Sequence, residues 1–228
     1  MRLTVVGCSG SYPGPASPAS CYLLEADDAT GRTWRVLLDL GNGALGALHR
    51  YTDPLAIDAV LLSHLHADHC LDLCGYYVLR KYHPTGAQPR IPVWGPDGTA
   101  DRMARAYDLP ADPGMRNEFD FRGWDGPVGI GPFTVAPVPV AHPVDAFGLR
   151  VSADGTTLAY TGDTGPTAAL DDLARDVDLL LAEASFRSGD DNPPDLHLTG
   201  ADGGAVAEAA TAYDGPIELA VPGAVYGV

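Results

Sequence analysis

Three histidines and one aspartate stand within six consecutive positions of this chain of 228 residues. They are His64, His66, Asp68 and His69, and they directly follow a short apolar run at residues 59–62. Imidazole and carboxylate groups are the ligands that suit zinc, manganese or iron. Four such groups are more than one tetrahedral ion with an open position needs. The pattern therefore indicates two metal ions that share a site.

The apolar run predicts a buried strand that brings these side chains together. It is short and continuously apolar, which is typical of a strand that is buried on both faces. Because side chains alternate along an extended chain, we expect His64 and His66 to point to the same side. A loop beginning near His66 would fold Asp68 and His69 back toward the same point. The competing interpretation is a set of solvated loop residues, which a single histidine would favour but this spacing does not.

Three later residues could join the cluster. His142 stands at a predicted strand end, Asp163 in a turn flanked by glycine, and His197 in a turn before a predicted helix. A lone histidine is more often a surface or core residue than a ligand, and His49 and His83 are interpreted in that way. The other three lie at the ends of elements, where loops build functional sites.

The charge balance limits the possible partners. The chain has 30 acidic and 14 basic residues, for a formal net charge of −16 at pH 7. A surface this negative repels phosphate backbones, so nucleic-acid binding is not expected. No apolar stretch approaches the ~18 residues of a membrane span, and the apolar start is shorter than the ~7–15 residues of a signal peptide core. We therefore expect a cytoplasmic protein with no membrane partner.

The four cysteines, Cys8, Cys21, Cys70 and Cys74, do not form the pattern of a disulfide framework. The spacing of Cys70 and Cys74 predicts one face of a helix that begins just after the histidine motif. Buried free thiols are favoured over a zinc pair, because cysteine is among the most buried residue types.

Periodicity and turn residues predict an α/β chain. Strands are predicted at residues 3–6, 21–25, 34–38, 59–62, 91–94, 119–121, 133–140, 147–151, 157–160, 177–182 and 217–221, and helices at 44–51, 72–82, 97–107, 167–174 and 201–212. Prolines 137 and 139 predict that their strand is interrupted or at an edge, and the strand at 177–182 is expected to be buried. The strands fall into two groups, each followed by helices, which favours layered packing in one domain over residues 1–228.

Three stretches of the chain together resemble one known family. They are His64-Leu65-His66-Ala67-Asp68-His69, then His142, then Thr161-Gly162-Asp163-Thr164. Together they resemble the metallo-β-lactamase superfamily, over nearly the whole chain. The loop at Gly10-Ser11, the segment Glu183-Ala184-Ser185-Phe186 and His197-Leu198-Thr199 are most similar to the ribonuclease Z and cyclic-nucleotide phosphodiesterase branch. The sequences Ser17-Pro18-Ala19-Ser20 and Asp195-Leu196-His197-Leu198 resemble those of an actinobacterial group of that branch.

The resemblance implies an αββα sandwich, a metallo-β-lactamase fold with two divalent metal ions. Zinc is the first choice, with manganese or iron as alternatives. The implied ligands are His64, His66 and His142 for the first ion, Asp68 and His69 for the second, and Asp163 for both. A water between the ions would attack phosphorus or a carbonyl. His197 would contact the phosphate or protonate the leaving group. As an alternative to binding the second ion, Asp68 would orient the nucleophile, and Glu183 would support these groups.

One departure from the family concerns the second ion. The family supplies a further histidine to it, whereas no histidine follows His197 here. A segment of about two dozen residues, the length of a strand plus a helix, is expected to be absent near residues 209–213. The second ion is then weakly held, or His197 substitutes for the missing ligand.

The implied function is a metal-dependent hydrolase of a small phosphodiester such as a cyclic nucleotide. The first alternative is RNA 3′-processing of the ribonuclease Z type, which uses a long Gly/Pro-rich arm. Only twenty residues separate His142 from Asp163, so no such arm fits there. The second alternative, motivated by the missing histidine, is a non-catalytic metal-binding sandwich. β-Lactam hydrolysis is disfavoured because His69 directly follows Asp68. A homodimer is common in the family and stays open for this chain.

Overall fold

The computed structural model describes residues 1–200 and 215–228, which divide into two units. Unit 1 comprises Met1–Asp125 and Val221–Gly227, and unit 2 comprises Gly126–Ala220 and Val228. The strands are β1 Arg2–Gly7, β2 Cys21–Asp27, β3 Thr33–Leu38, β4 Ala59–Leu61, β5 Ile91–Gly95, β6 Phe119–Gly123, β7 Val128–Ile130, β8 Phe133–Pro139, β9 Phe147–Ala153, β10 Thr156–Tyr160, β11 Leu179–Leu181 and β12 Val225–Gly227. The helices are α1 Ala44–Leu48, α2 Ala67–Cys70, α3 Leu73–Lys81, α4 Thr99–Ala106 and α5 Ala169–Ala174, with a 3-10 turn at Pro54–Ala56.

Unit 1 holds a mixed sheet in the order β12-β1-β2-β3-β4-β5-β6. The strands from β3 to β6 are parallel, and the others pair antiparallel. Helices α3 and α4 pack on the sheet through buried residues such as Tyr76 and Met103. The central strands are therefore buried, as the continuous apolar run at β4 predicted. The carboxyl ends of β3 and β4 lie side by side at one edge of the sheet, which is where parallel α/β sheets place their functional loops.

Unit 2 holds a second mixed sheet in the order β11-β10-β9-β8-β7. The predicted strands at 147–151 and 157–160 are confirmed as β9 and β10, which form a hairpin with the two-residue turn Asp154-Gly155. Both turn residues have positive φ, 52° and 79°, as the tightest hairpin turns require. Strand β11 runs parallel to β10. Helix α5 packs on this sheet so closely that a Cβ on Gly148 would lie 2.5 Å from Leu173 Cδ2.

Four expectations about the elements need correction. The helix after the histidine motif is two helices, so Cys70 ends α2 while Cys74 lies in α3. All four cysteines are free thiols as predicted, but only Cys21 and Cys70 are buried, whereas Cys8 and Cys74 are half-buried. The strand at 177–182 is not buried, because β11 ends the described sheet and leaves Leu180 45% exposed. The prolines do not place β8 at an edge, since β8 pairs with both β7 and β9.

The prolines still mark a change in pairing. Strand β7 reaches only as far as Val135, so the part of β8 that contains Pro137 and Pro139 pairs with β9 alone. A proline cannot donate to a second neighbour, and here no second neighbour is present in the described sheet. The prediction of an edge strand was therefore wrong for β8 as a whole, although the half that contains the prolines has only one neighbouring strand in the described sheet.

The predicted last strand at residues 217–221 is wrong. These residues form no strand, and Leu219 and Val221 are 68% and 51% exposed. Pro222 ends this apolar run. The last strand is instead β12, which pairs with β1. Strand β7 had not been predicted, because three residues between glycines give little periodicity. The predicted helix at 201–212 lies outside the described residues.

None of the helices in the described ranges, 1–200 and 215–228, has the length and apolar character needed to cross a membrane.

Candidate metal centre

The histidine motif begins just after β4 ends, at the edge of the unit 1 sheet where the carboxyl ends of β3 and β4 lie. His64 is fully buried, and His66 is the last extended residue before α2. The Nε2 atom of His64 lies 3.1 Å from Nδ1 of His66, so the predicted common side of these two residues is confirmed. Two nitrogen ligands of one tetrahedral ion lie about 3.4 Å apart, since each is ~2.1 Å from the metal. The separation therefore suits two ligands of one ion.

Helix α2 turns Asp68 and His69 back toward the strand end, as predicted. The ring centroids of His64 and His69 are 4.1 Å apart. Nε2 of His69 lies 3.5 Å from Oδ2 of Asp68, and both side chains are nearly buried. Four groups that bind divalent metals thus converge in unit 1, although the chain places them on a strand end and a helix.

A buried aspartate that the sequence analysis did not single out orients this motif. Asp39 follows β3, is fully buried, and has a positive φ of 57°, which is uncommon for a residue other than glycine. Its Oδ1 accepts a hydrogen bond from the backbone N–H of Ser63 at 2.7 Å. Its Oδ2 accepts from the Ser63 hydroxyl at 2.8 Å and from Nδ1–H of His69 at 2.7 Å. An aspartate directly after a buried strand was the available signal.

These hydrogen bonds determine which ring nitrogens remain available. A carboxylate only accepts, so His69 carries its proton on Nδ1 and presents Nε2. The one hydroxyl hydrogen of Ser63 goes to Asp39, so Ser63 accepts from Nδ1–H of His64 at 3.1 Å. His64 therefore also has an unprotonated Nε2, the atom that lies 3.1 Å from Nδ1 of His66. This is the arrangement in which a supporting carboxylate fixes the tautomer of a metal-binding histidine.

The backbone around Gly41 holds the motif against the sheet. The backbone N–H of Leu40 donates to the carbonyl oxygen of His69 at 2.8 Å. A Cβ on Gly41 would lie 1.9 Å from the carbonyl oxygen of Asp68. Only glycine allows so close an approach.

Cys70 and Cys74 are protonated thiols near neutral pH. Burial raises the pKa of Cys70 to about 12, and it also raises the pKa of Cys74. The Cys70 thiol donates a hydrogen bond to the carbonyl oxygen of His66 at 3.2 Å. Both thiols therefore stay protonated near neutral pH.

Unit 2 places its candidate residues at the ends of β8, β10 and β11. Asp163 follows β10, and Glu183 follows β11, which is parallel to β10. The backbone N–H of Gly165 donates to the carbonyl oxygen of Ala141 at 2.7 Å, which joins the Asp163 turn to the segment that carries His142. The predicted positions at strand ends are therefore confirmed for these residues.

Glu183 organises this group. Its Oε1 accepts from the backbone N–H of Thr164 at 2.9 Å, and its Oε2 accepts from that of Ser185 at 3.1 Å. Nδ1–H of His197 donates to Oε1 at 2.9 Å and lies 3.8 Å from Oδ2 of Asp163. One ligand atom from each of Asp163, Glu183 and His197 lies within 4.8 Å of the others. This donor set also suits a divalent ion.

His142 lies beside His197, with ring centroids 5.9 Å apart. Its Nδ1–H donates to the carbonyl oxygen of Leu196 at 3.0 Å. His142 therefore presents Nε2, like His64 and His69. Every residue proposed from the sequence as a ligand or catalytic group lies at the end of a strand, in α2, or beside Glu183.

Comparison with known proteins agrees with this architecture. The family model described as Beta-lactamase superfamily domain matches residues 34–221. An uncharacterized protein of Mycobacterium leprae is 42% identical over 258 residues, with coverage of 100% of this chain and 89% of that protein. Ribonuclease Z of Mycolicibacterium paratuberculosis is 30% identical over 200 residues, with coverage of 79% and 69%. The predicted ribonuclease Z-like branch and actinobacterial group are confirmed by these relatives.

The Mycobacterium leprae alignment is about 30 positions longer than this chain, 258 against 228. That relative therefore has about 30 residues with no counterpart here. This length is close to that of the segment expected to be absent.

Two solved structures show the fold. The metallo-β-lactamase fold protein YhfI of Bacillus subtilis has a TM-score of 0.83 at 24% identity, with coverage of 99% of this chain and 98% of that one. A diphosphatase from the PhnP family has a TM-score of 0.72 at 21% identity, with coverage of 100% and 97%. The predicted metallo-β-lactamase fold is thus confirmed. Since the family match covers most of the chain and the fold agrees with it, this protein belongs to the β-lactamase superfamily.

Proposed function

We propose that this protein is a metal-dependent hydrolase of small phosphodiesters, with cyclic nucleotides as the first substrates to test. The observation that carries the proposal is the oriented set in unit 1. His64 and His69 carry their protons on Nδ1, because these atoms donate to Ser63 and Asp39, so that Nε2 of each ring is the unprotonated atom. Burying these polar groups and holding Asp39 at a positive φ are both energetically unfavourable. We attribute their presence to metal binding, which requires histidine rings held in one orientation and tautomer.

The proposed ligands follow from the donor atoms. His64, His66 and His142 would hold one ion, Asp68 and His69 would hold a second, and Asp163 would serve both. Imidazole and carboxylate donors fit zinc, manganese or iron. Bound ions of this kind would polarise a phosphoryl oxygen and lower the pKa of a water.

The remaining residues handle orientation and protons. The Glu183 carboxylate fixes the ring of His197 and stabilises its imidazolium form, so Nε2–H of His197 is available to the leaving oxygen of the substrate. As the alternative to its role as a ligand, the Asp68 carboxylate beside His69 would orient the attacking water. The backbone amides of Thr164 and Ser185 hold the Glu183 carboxylate in position for its role beside His197.

Two observations support a small substrate over RNA. The connection between β9 and β10 is a two-residue turn, so unit 2 has no arm between His142 and Asp163. The net charge of −16 opposes the approach of a polyanion. The names of two similar proteins, ribonuclease Z and a diphosphatase, agree with hydrolysis at phosphorus. The 30% identity to ribonuclease Z nevertheless makes RNA 3′-processing the second candidate.

The test combines metal content with a substrate panel. Protein loaded with zinc or manganese is assayed on cyclic AMP, bis(p-nitrophenyl) phosphate and precursor transfer RNA. We expect hydrolysis of the two small diesters, its loss with a chelator, and its return with metal. Asp163→Ala should abolish hydrolysis, whereas the exposed control Asp125→Asn should not change it.

Other outcomes identify the alternatives. Preferential cleavage of precursor transfer RNA would favour the ribonuclease Z-like function. Two bound ions with no hydrolysis of any substrate would favour a non-catalytic metal-binding protein. The homodimer and the cytoplasmic location stay predictions.

A further inference from the structure

The loop that joins β1 to β2 carries an exposed aromatic ring. Tyr12 lies at its tip and is 72% exposed, more than any other large apolar side chain in the described part of the chain. We call residues 8–20 the Tyr12 loop. A single exposed aromatic residue is ordinary on a protein surface, so its significance depends on how the loop is built and where it lies.

The Tyr12 loop is held in one conformation. The backbone N–H of Cys8 donates to the Ser17 hydroxyl at 3.0 Å, and that of Gly14 donates to the carbonyl oxygen of Ser17 at 2.8 Å. Prolines at 13, 15 and 18 restrict the backbone further. Ser11 has a positive φ of 58°, which costs energy in a residue other than glycine. The ring of Tyr12 is therefore presented by a preorganised segment.

The same loop borders the histidine motif within unit 1. A Cβ on Gly41 would lie 2.9 Å from Cβ of Ala19 in the loop, and 1.9 Å from the carbonyl oxygen of Asp68. A Cβ on Gly43 would lie 3.6 Å from Cβ of Pro13, the neighbour of Tyr12. Gly41 and Gly43 are two residues apart, which spans roughly 7 Å at most. Pro13 and Asp68 therefore pack against the same short segment.

Three arginines of unit 1 are already paired with carboxylates, so they offer a nucleotide little net positive charge. The arginines on β1, β3 and the turn before β3 are in ion pairs: Arg2 and Arg35 with Glu25, and Arg32 with Asp58. The chain as a whole is strongly acidic. Contacts to an uncharged part of the substrate are then the available source of affinity and selectivity.

We propose that Tyr12 stacks on the base of a nucleotide phosphodiester bound beside the histidine motif, so that the substrates are nucleotides rather than phosphodiesters in general. This inference rests on the proposed function. An aromatic face stacks on any nucleobase, and such contacts change affinity by roughly tenfold or more per base. A tyrosine loses little side-chain freedom on binding, which suits it to this role.

The test compares a ligand that has a base with one that lacks it. Metal-loaded wild-type protein is titrated with AMP and with ribose 5-phosphate by calorimetry. We expect AMP to bind about tenfold tighter or more. Tyr12→Ala should weaken the binding of AMP alone, so that the two affinities become nearly equal. Tyr12→Phe should preserve the preference for AMP. Tyr82→Ala, which removes another exposed tyrosine on α3's C-terminal end, should change nothing.

Three results would overturn the inference. The first is that the wild type binds AMP and ribose 5-phosphate equally well, and the second is that Tyr12→Ala keeps the wild-type preference for AMP. The third is that Tyr12→Ala weakens the binding of both ligands equally and has an altered melting temperature. Hydrolysis of cyclic AMP by the wild type is measured separately. Its absence alongside a Tyr12-dependent preference for AMP would refute the proposed function and leave the base contact standing.

Discussion

Oδ2 of Asp39 lies 2.7 Å from Nδ1 of His69, and both side chains are almost completely buried. The same carboxylate accepts two hydrogen bonds from Ser63. One residue at the end of β3 thus orients two histidines that the chain supplies after β4.

Replacement of Asp39 should weaken metal binding while the proposed ligands remain. In Asp39→Asn one of the two acceptor oxygens becomes an NH2 donor, so at least one of the hydrogen bonds from Ser63 and His69 is lost. The tautomer of His69 is then no longer fixed by a carboxylate. We expect metal affinity to fall by about 10–100-fold, as for other residues that support metal ligands. Competition with a chromophoric chelator measures this. Asp125→Asn is the control, and an unchanged affinity in Asp39→Asn would show that Asp39 has only a structural role.

A matched pair of glycine substitutions tests the close packing of the motif. In Gly41→Ala the new Cβ would overlap the carbonyl oxygen of Asp68, so the backbone must move. We expect a loss of about 1–3 kcal/mol or more in the free energy of unfolding. In Gly46→Ala, in helix α1, the Cβ meets no atom within 4 Å, and we expect a gain of up to about 1 kcal/mol. Urea denaturation distinguishes them, and equal effects would contradict this packing.

The role of His142 as a ligand predicts a change in metal stoichiometry. His142→Ala should reduce the number of ions bound per chain by one, because its Nε2 is the atom left available for metal. The exposed His83, which contacts Thr85, provides the control His83→Ala. Mass spectrometry of the metal content after dialysis gives the count. The same count in both variants would remove His142 from the ligand set.

A buried glutamate predicts a pH dependence of stability. Burial raises the pKa of Glu118 from its ordinary 4.5, although Lys81 and Arg80 act in the opposite direction. The folded state then binds the proton more tightly than the unfolded state, so the free energy of unfolding falls as the pH rises from about 4.5 through the folded pKa. Its Oε2 has no hydrogen-bond partner among the described residues, which agrees with this sign.

Glu118→Gln cannot ionise and should avoid this loss. We expect its melting temperature to increase relative to the wild type between pH 4.5 and pH 7. Glu218→Gln alters an exposed residue and should show a constant difference across that range. A constant difference for Glu118→Gln as well would mean that burial does not perturb this carboxyl group.

The sequence predicted best where local pattern and burial agree. The run that became β4 is continuously apolar, and the alternation beyond it placed His64 and His66 together. The strands at 147–151 and 157–160 were predicted from their apolar runs, and the structure joins them by the turn Asp154-Gly155, whose positive φ angles suit those residues. Each of these features depends on a few neighbouring residues.

The sequence failed where the outcome depends on distant partners. Strand 217–221 had the right residue types, but in the described part of the chain nothing covers Leu219. Leu180 was expected to be buried, but it is 45% exposed because β11 is the last strand of its described sheet. The role of Asp39 depends on Ser63 and His69, which are 24 and 30 positions away. The position of Asp39 directly after a strand marks it as a candidate, but its partners cannot be identified from neighbouring residues.

The two-residue turn at Asp154-Gly155 also marks where this protein can be lengthened. Hairpin tips tolerate inserted residues, because the cost of closing a longer loop grows slowly with its length. An insertion there would leave His142 and Asp163 on their own strand ends. An evolving lineage could therefore change the size of molecule it accepts by the length of one surface connection, and the same turn is the place to graft an RNA-gripping arm onto this chain.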